Sequence, residues 1–151
     1  MKTTLQDAIE LLTADHEKVK RLFEQFEKLS DRSKVNKKKL ADQIPLELTV
    51  HAQVEEEIFY SAMREATADD DMLDEAIVEH ASAGNLIAQI REIDPGDDLY
   101  DAKVKVLSEQ IEHHVGEEEE EMLKKARAAK RDLAALGAEM ATRKDELLAT
   151  A

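Results

Sequence analysis

The sequence has no cysteine and no tryptophan, only two prolines and four glycines, and its aromatic residues number three phenylalanines and two tyrosines. Without cysteine there are neither disulfides nor thiolate ligands, so any metal site must be built from nitrogen and oxygen donors. The same absence fits a reducing cytoplasm, the expected location. With so few aromatic rings there is little on which a nucleotide or sugar could stack. No apolar run approaches the ~20 residues needed to cross a bilayer. The N-terminus, Met1-Lys2-Thr3-Thr4-Leu5-Gln6-Asp7, lacks the long apolar core of a secretory signal. Positive charge is also short. Lys and Arg total 21 against 35 Asp and Glu, and the net charge of −14 argues against a nucleic-acid partner, because counterion release needs clustered cations. No Ser-His-Asp arrangement and no phosphate-cradling glycine loop occurs.

What remains is rich in Ala, Leu, Glu and Lys, the composition of an all-helical chain. Its 151 residues suit one ordinary domain with a core of its own. Apolar residues recur in steps of three and four along four stretches. Thr4 with Asp7 resembles a cap, and Ile9, Leu12, His16, Val19, Phe23 and Phe26 then trace a helix to about Ser30. After Asp31-Arg32-Ser33 comes the basic run Asn36-Lys37-Lys38-Lys39, expected to be a solvated helical turn. Pro45 marks a bend or a restart in the second helix, which carries Ile44, Leu48, His51, Glu55 and Phe59 to about Ala66. Thr67-Ala68-Asp69-Asp70-Asp71 offers caps for a third helix through Leu73, Ala76, His80, Ala83, Ile87 and Ile90. Asp94-Pro95-Gly96-Asp97-Asp98 is the clearest turn. The fourth helix reads Val104, Leu107, Ile111, His114, Glu118 and Met122. The expected organisation is a bundle over 1–130 and a helical tail over 131–151, with a thin apolar edge of Leu133, Leu136, Met140 and Leu147 weakened by Gly137. That tail either extends the fourth helix or packs as an accessory helix, and a dimer contact is one use for it.

Short connections between helices of similar length predict an antiparallel up-down-up-down four-helix bundle with a C-terminal helical extension. In that arrangement His16, His51, His80 and His114 fall near the midpoints of their helices and so share one interior layer. Glu55 and Glu118 follow His51 and His114 by four residues, one turn along the same face. A lone core histidine is usually a structural residue with its hydrogen bonds met. Four imidazoles and two carboxylates in one layer, with no Lys or Arg on the same stripes, leave buried charge that costs several kcal/mol per ion unless cations compensate it. The six are therefore the candidate metal ligands. His113 points about 100° away from His114 around the helix. It aligns with Gln110 and Glu117, and a surface or supporting role is expected for it; only with the helix rotated would His113 and Glu117 replace His114 and Glu118.

Asp15-His16, His51-x-x-x-Glu55-Glu56 with Ile58-Phe59-Tyr60, Glu79-His80, and His113-His114-x-x-Glu117-Glu118-Glu119 occur in the order of successive helices. In this the chain resembles the hemerythrin family, specifically its bacterial HHE cation-binding domains, over about residues 8 to 126. The resemblance implies a non-haem centre of two iron ions, oxo- or hydroxo-bridged, although other divalent metals are compatible. Glu55 and Glu118 would bridge, His16 and His51 would hold one iron, and His80 and His114 the other. The oxygen-carrying members have a further histidine one turn after the first on helix three, where this chain has Gly84. Ser61 and Lys124 replace prolines common in the family, which bears on helix ends. With two imidazoles and two carboxylate oxygens on each ion, both irons keep about two positions for exogenous ligand. That arrangement suits oxidase, peroxidase-like or ferroxidase chemistry better than reversible oxygen carriage. Glu47 and Gln110, one turn before ligating histidines, are candidates for supporting groups or substitutes for the missing ligand.

Three classes of function follow. The leading one is a protein that binds, senses or transforms dioxygen, peroxide or nitric oxide, working as monomer or homodimer without nucleic acid or membrane. The second is iron storage, delivery or sensing without catalysis, since metal binding couples to folding. The third is a structural bundle with zinc or a plain histidine layer.

Overall fold

Asp7 begins the first helix in the computed structural model, which describes residues 6–30, 32–67, 69–129 and 131–151. Its side chain accepts from the Glu10 amide at 2.8 Å, and the Glu10 carboxylate accepts from the Asp7 amide at 3.2 Å. This reciprocal pair satisfies two of the amides that a helix start leaves without partners. Thr4 and Asp31, named as a cap and a connection, lie outside the described residues, as does Ala68. Helix α1 (Ala8–Glu27) ends a turn earlier than its periodicity suggested. Helix α2 starts at Lys34, runs through Val54, continues as a π-helical turn Glu55–Phe59, and finishes as Tyr60–Ala66. Pro45 lies buried within it without ending it.

Helix α3 (Asp70–Glu92) is capped by Asp69, which accepts from the Met72 amide at 3.3 Å. The Asp94–Asp98 turn follows, its Asp97 amide bonded to the Asp94 carbonyl at 2.9 Å. Helix α4 begins as Tyr100–Glu117, passes through a second π turn, Glu118–Met122, and ends as Leu123–Ala128. Helix α5 (Leu133–Ala149) is capped by Asp132, which accepts from the Ala135 amide at 3.0 Å. The chain is all-helical, a helical bundle, and no helix among the described residues is long and apolar enough to cross a membrane.

Apolar side chains collect in two clusters. One joins Ala8 and Leu12 of α1 to Val54, Phe59 and Met63 of α2, Leu73 of α3 and Met122 of α4. The other joins Val19 and Phe26 to Ile44 and Leu48, Ile87 and Ile90, Tyr100 and Leu107. The start of α1 thus meets the end of α2, the start of α3 and the end of α4, so successive helices run antiparallel. Each fully buried large apolar side chain contributes about 1.5–3 kcal/mol. The two clusters therefore have the strength to hold an unfavourable polar layer between them.

Packing revises one expectation and, for the tail, decides between the two that the sequence left open. Lys37, in the run read as solvated, is buried: its ammonium bonds both Asp101 carboxylate oxygens at 2.9 and 3.1 Å and sits 5.7 Å above the Phe26 ring. An aspartate and an aromatic face supplied by other helices compensate that charge. The tail does not extend α4. It folds back as α5 against α1 and α2, with Met140 fully buried and the Arg143 guanidinium bonded to Glu57 at 2.9 and 3.1 Å. Gly137, read as a weakness in the tail, is what allows this approach: a Cβ there would lie 2.6 Å from the Asp7 carbonyl carbon and 2.7 Å from the Ala8 amide nitrogen. Backbone cannot yield as a side chain does. Gly137→Val is expected to lift α5 from α1 and cost about 1–3 kcal/mol. Urea denaturation of wild type and variant measures this directly.

Candidate metal centre

Between the two apolar clusters, α1 contributes His16, α2 contributes His51 and Glu55, α3 contributes His80, and α4 contributes His114 and Glu118. The two glutamates are 0% and 2% exposed. Glu55 Oε1 lies 3.2 Å from Nε2 of both His51 and His80. Glu118 places Oε1 3.3 Å from His16 Nε2 and Oε2 3.3 Å from His114 Nε2. The rings of His16 and His51 are 5.0 Å apart, and those of His80 and His114 are 4.7 Å apart. Each carboxylate therefore touches one imidazole from each of two histidine pairs.

The outward nitrogens explain why the inward ones face each other. His51 Nδ1 bonds Asp15 at 2.9 Å, His16 Nδ1 bonds Glu119 at 2.7 Å, His80 Nδ1 bonds Glu56 at 2.8 Å, and His114 Nδ1 bonds Glu79 at 2.7 Å. Carboxylates only accept, so each Nδ1 carries the proton. In a neutral ring the lone pair is then on Nε2, pointing at a glutamate oxygen. Such an arrangement is repulsive until a proton or a cation enters. His16 Nε2, His51 Nε2, Glu55 Oε2 and Glu118 Oε1 are buried with no hydrogen-bond partner. Leaving a buried polar group unmet costs about 1–3 kcal/mol. The donor set of imidazole nitrogen and carboxylate oxygen fits a first-row transition metal, and the four unmet atoms are the ones a cation would satisfy.

Spacing groups the donors of the layer in two sets, His16, His51, Glu55 and Glu118 in one, and Glu55, His80 and His114 in the other, while Glu79, His113 and Glu117 come together outside the layer. A match to the family model described as the hemerythrin HHE cation-binding domain covers residues 7–126, which contain both sets. The chain belongs to the hemerythrin HHE cation-binding domain family. A crystal structure of a hemerythrin HHE cation-binding domain-containing protein from Mycobacterium kansasii superposes with a TM-score of 0.83 at 24% identity, covering 96% of this chain and 89% of that one. At that identity the likeness concerns the fold. A DNA nickase from Nostoc sp. (strain PCC 7120) is 31% identical over 115 residues, 76% of this chain. The chain spans 31% of that protein's length, so the likeness is to a part of it. Helix α5 falls outside the residues matched by the family model, although the HHE-domain structure covers nearly the whole chain.

Several supporting groups escaped the sequence reading. Asp15, Glu56, Glu79 and Glu119 stand in the motifs quoted above, yet nothing in their spacing said that each would hold the ring of a histidine on another helix. Lys144 of α5 reaches Asp15 Oδ1 at 2.5 Å and so braces the carboxylate that orients His51. Tyr60 is the other addition. Its hydroxyl donates to Glu118 Oε2 at 2.8 Å, and it lies 3.4 Å from Glu55 Oε1. The π turn is responsible: with the Tyr60 amide bonded to the Glu55 carbonyl, a residue five positions on returns to the face of Glu55. An α-helical count would have given that place to Phe59 alone. The second π turn likewise starts on a glutamate, Glu118.

The supporting roles expected of Glu47 and Gln110 are not met, while His113 and Gly84 stand as the sequence placed them. Glu47 turns away and pairs with Lys18 at 2.8 Å. Gln110 has its side-chain oxygen buried without a hydrogen-bond partner, and so braces none of the histidine rings through it. His113 is 66% exposed, 3.1 Å from Glu117 and 3.8 Å from Glu79, and stays outside the layer. Gly84 offers no donor atom, and a Cβ there would meet nothing within 4 Å.

In the metal-free protein the protons report this crowding. Burial disfavours the His114 imidazolium, but the hydrogen bond to Glu118 and the charges of Glu118 and Glu55 outweigh it and raise the group from 6.5 to about 9. His51 is buried too, yet the charge of Glu55 and the bond to Asp15 hold it well above its ordinary value. Glu55 is held well below the usual carboxylate range: burial opposes its charge, and the neighbouring His51 overrides it. For a histidine raised in the folded state, the stabilisation is complete below 6.5 and is lost as pH rises through the folded value. Metal-free protein is therefore expected to lose stability between pH 6.5 and about 9, read as a falling urea midpoint. Loading a divalent cation at pH 7 should release protons, measurable in weak buffer by a pH indicator.

Proposed function

We propose that the chain is a non-haem di-iron protein that reacts with dioxygen, peroxide or nitric oxide, with His16, His51, Glu55, His80, His114 and Glu118 as the metal ligands. The observation that carries this reading is the inward convergence of four Nε2 atoms on two glutamates, each glutamate within reach of both histidine pairs. His16 and His51 would hold one ion and His80 and His114 the other, with Glu55 and Glu118 shared. Iron in this site supplies electron transfer to and from a small oxygen- or nitrogen-containing ligand. The chain does the rest. Asp15, Glu56, Glu79 and Glu119 fix the four ring orientations and hold the proton on Nδ1. Tyr60 keeps its own proton, its hydroxyl being driven well above the ordinary phenol range by burial and by the adjacent Glu55 and Glu118 charges. It is thereby a fixed donor to Glu118. The two apolar clusters exclude bulk water above and below the layer. Gly84 supplies no further imidazole, and this favours turnover of the small ligand over its reversible storage.

A second reading, storage or delivery of iron, draws support from an acidic hollow of about 430 Å³ lined by Asp69, Asp71, Glu75, Glu79, Glu117 and Glu121, which reaches Glu118. Such a lining attracts cations toward the centre. The net charge of −14 and the absence of an excess of Lys and Arg favour a reading without nucleic acid.

Metal analysis of the purified protein is expected to give two irons per chain, with an optical spectrum of ligand-to-metal charge transfer. Peroxide or dioxygen should be consumed on mixing with reduced protein in stopped flow. Uptake and release of dioxygen without consumption over many cycles would overturn the catalytic reading. Glu79→Ala leaves the His114 ring unbraced and is expected to weaken metal binding or turnover by about 10–100-fold. Equilibrium dialysis against iron and peroxide consumption measure the two effects.

A further inference from the structure

A cleft of about 450 Å³ opens between α2 and α3 and runs inward to the histidine layer. Its mouth is bordered by Ala52, Ala81 and Gly84, whose small side chains leave the helices apart there. Val19, Leu48 and Ile87 line its interior, and the rings of His16, His51, His80 and His114 form its inner end. The volume is about fifteen times the ~30 Å³ share of one water molecule, far more than a diatomic ligand or hydrogen peroxide needs. It falls within the 300–1,000 Å³ range of pockets that take organic molecules.

Charge narrows the class. Among the described residues no Lys or Arg lines the cleft, while Asp15, Glu56 and Glu57 stand along it. An anion would meet these carboxylates with no cation in the lining to pair with, and an organic cation would find each of them already bonded, Asp15 to His51 and Lys144, Glu56 to His80 and Glu57 to Arg143. At the inner end the Nε2 atoms of His16 and His51, both more than nine-tenths buried, lie without a hydrogen-bond partner. We propose that the cleft between α2 and α3 binds an uncharged organic molecule, an apolar body of roughly six to ten carbons with a single oxygen function directed at the imidazole layer. The identity of that molecule as a co-substrate rests on the metal reading above; its binding does not.

The test uses straight-chain primary alcohols from butanol to decanol, titrated by calorimetry into the full chain with and without iron. Each added methylene is expected to tighten binding about fourfold until the cleft is full. The carboxylate of the same length should bind at least ~10-fold weaker, since its charge is not compensated. Gly84→Phe, which puts a ring in the mouth, should abolish alcohol binding while leaving the metal content of the protein unchanged. Ala81→Phe narrows the same mouth from one turn earlier and should do likewise, so a folding defect in either variant does not decide the matter alone. No binding to wild type, no dependence on chain length, or unchanged binding in both variants would overturn the proposal. Alcohol binding by a protein that takes up no iron when iron is supplied would sink the di-iron reading and leave this one standing; two irons with no alcohol binding would do the reverse.

Discussion

Imidazole lone pairs facing carboxylate oxygens at 3.2 to 3.3 Å inside a closed core set the terms for everything else in this molecule. Between neutral rings the contact is unfavourable, and it becomes favourable when a proton or a cation enters. Six polar side chains would not be buried for their own sake. They are held in place because two apolar clusters, one on either side, drive the helices together and close the layer above and below.

Rigidity in the layer comes from outside it. Four carboxylates clamp the outward nitrogens, and one of these, Asp15, is in turn bonded by Lys144 of α5. The fifth helix, whose close approach depends on Gly137 against the backbone of residues 6–8, is thus coupled to the orientation of His51. The π turns make a related contribution. By shifting the helical count by one residue at each glutamate they let Tyr60 reach Glu118 and keep Glu55 and Glu118 at the same level of the bundle.

The asymmetry of the surroundings gives the centre two different faces. Toward α2 and α3 the approach is apolar and bordered by small residues; toward the start of α3 and the end of α4 it is acidic. Cations and uncharged organic molecules thus have separate routes to one layer, a division that follows from side-chain size on one side and charge on the other.

The four helices of the bundle, the all-helical class and the stripes carrying His16, His51, His80 and His114 were written in the sequence, because the 3.6-residue period of a helix converts spacing directly into a shared face. So were the pairing of His51 with Glu55 and of His114 with Glu118, both local to one helix. Contacts between helices were not legible, since no local period records them. Glu56 bracing His80 and Glu79 bracing His114, the burial of Lys37 under Asp101, and the aim of Glu47 toward Lys18 each depend on which residue of a neighbouring helix arrives opposite. Tyr60 was hidden for a different reason: the π turn changes the period itself. Local spacing is thus a property of the chain, while the partners of its polar groups, and the space left between helices at Gly84, were decided only when the helices packed.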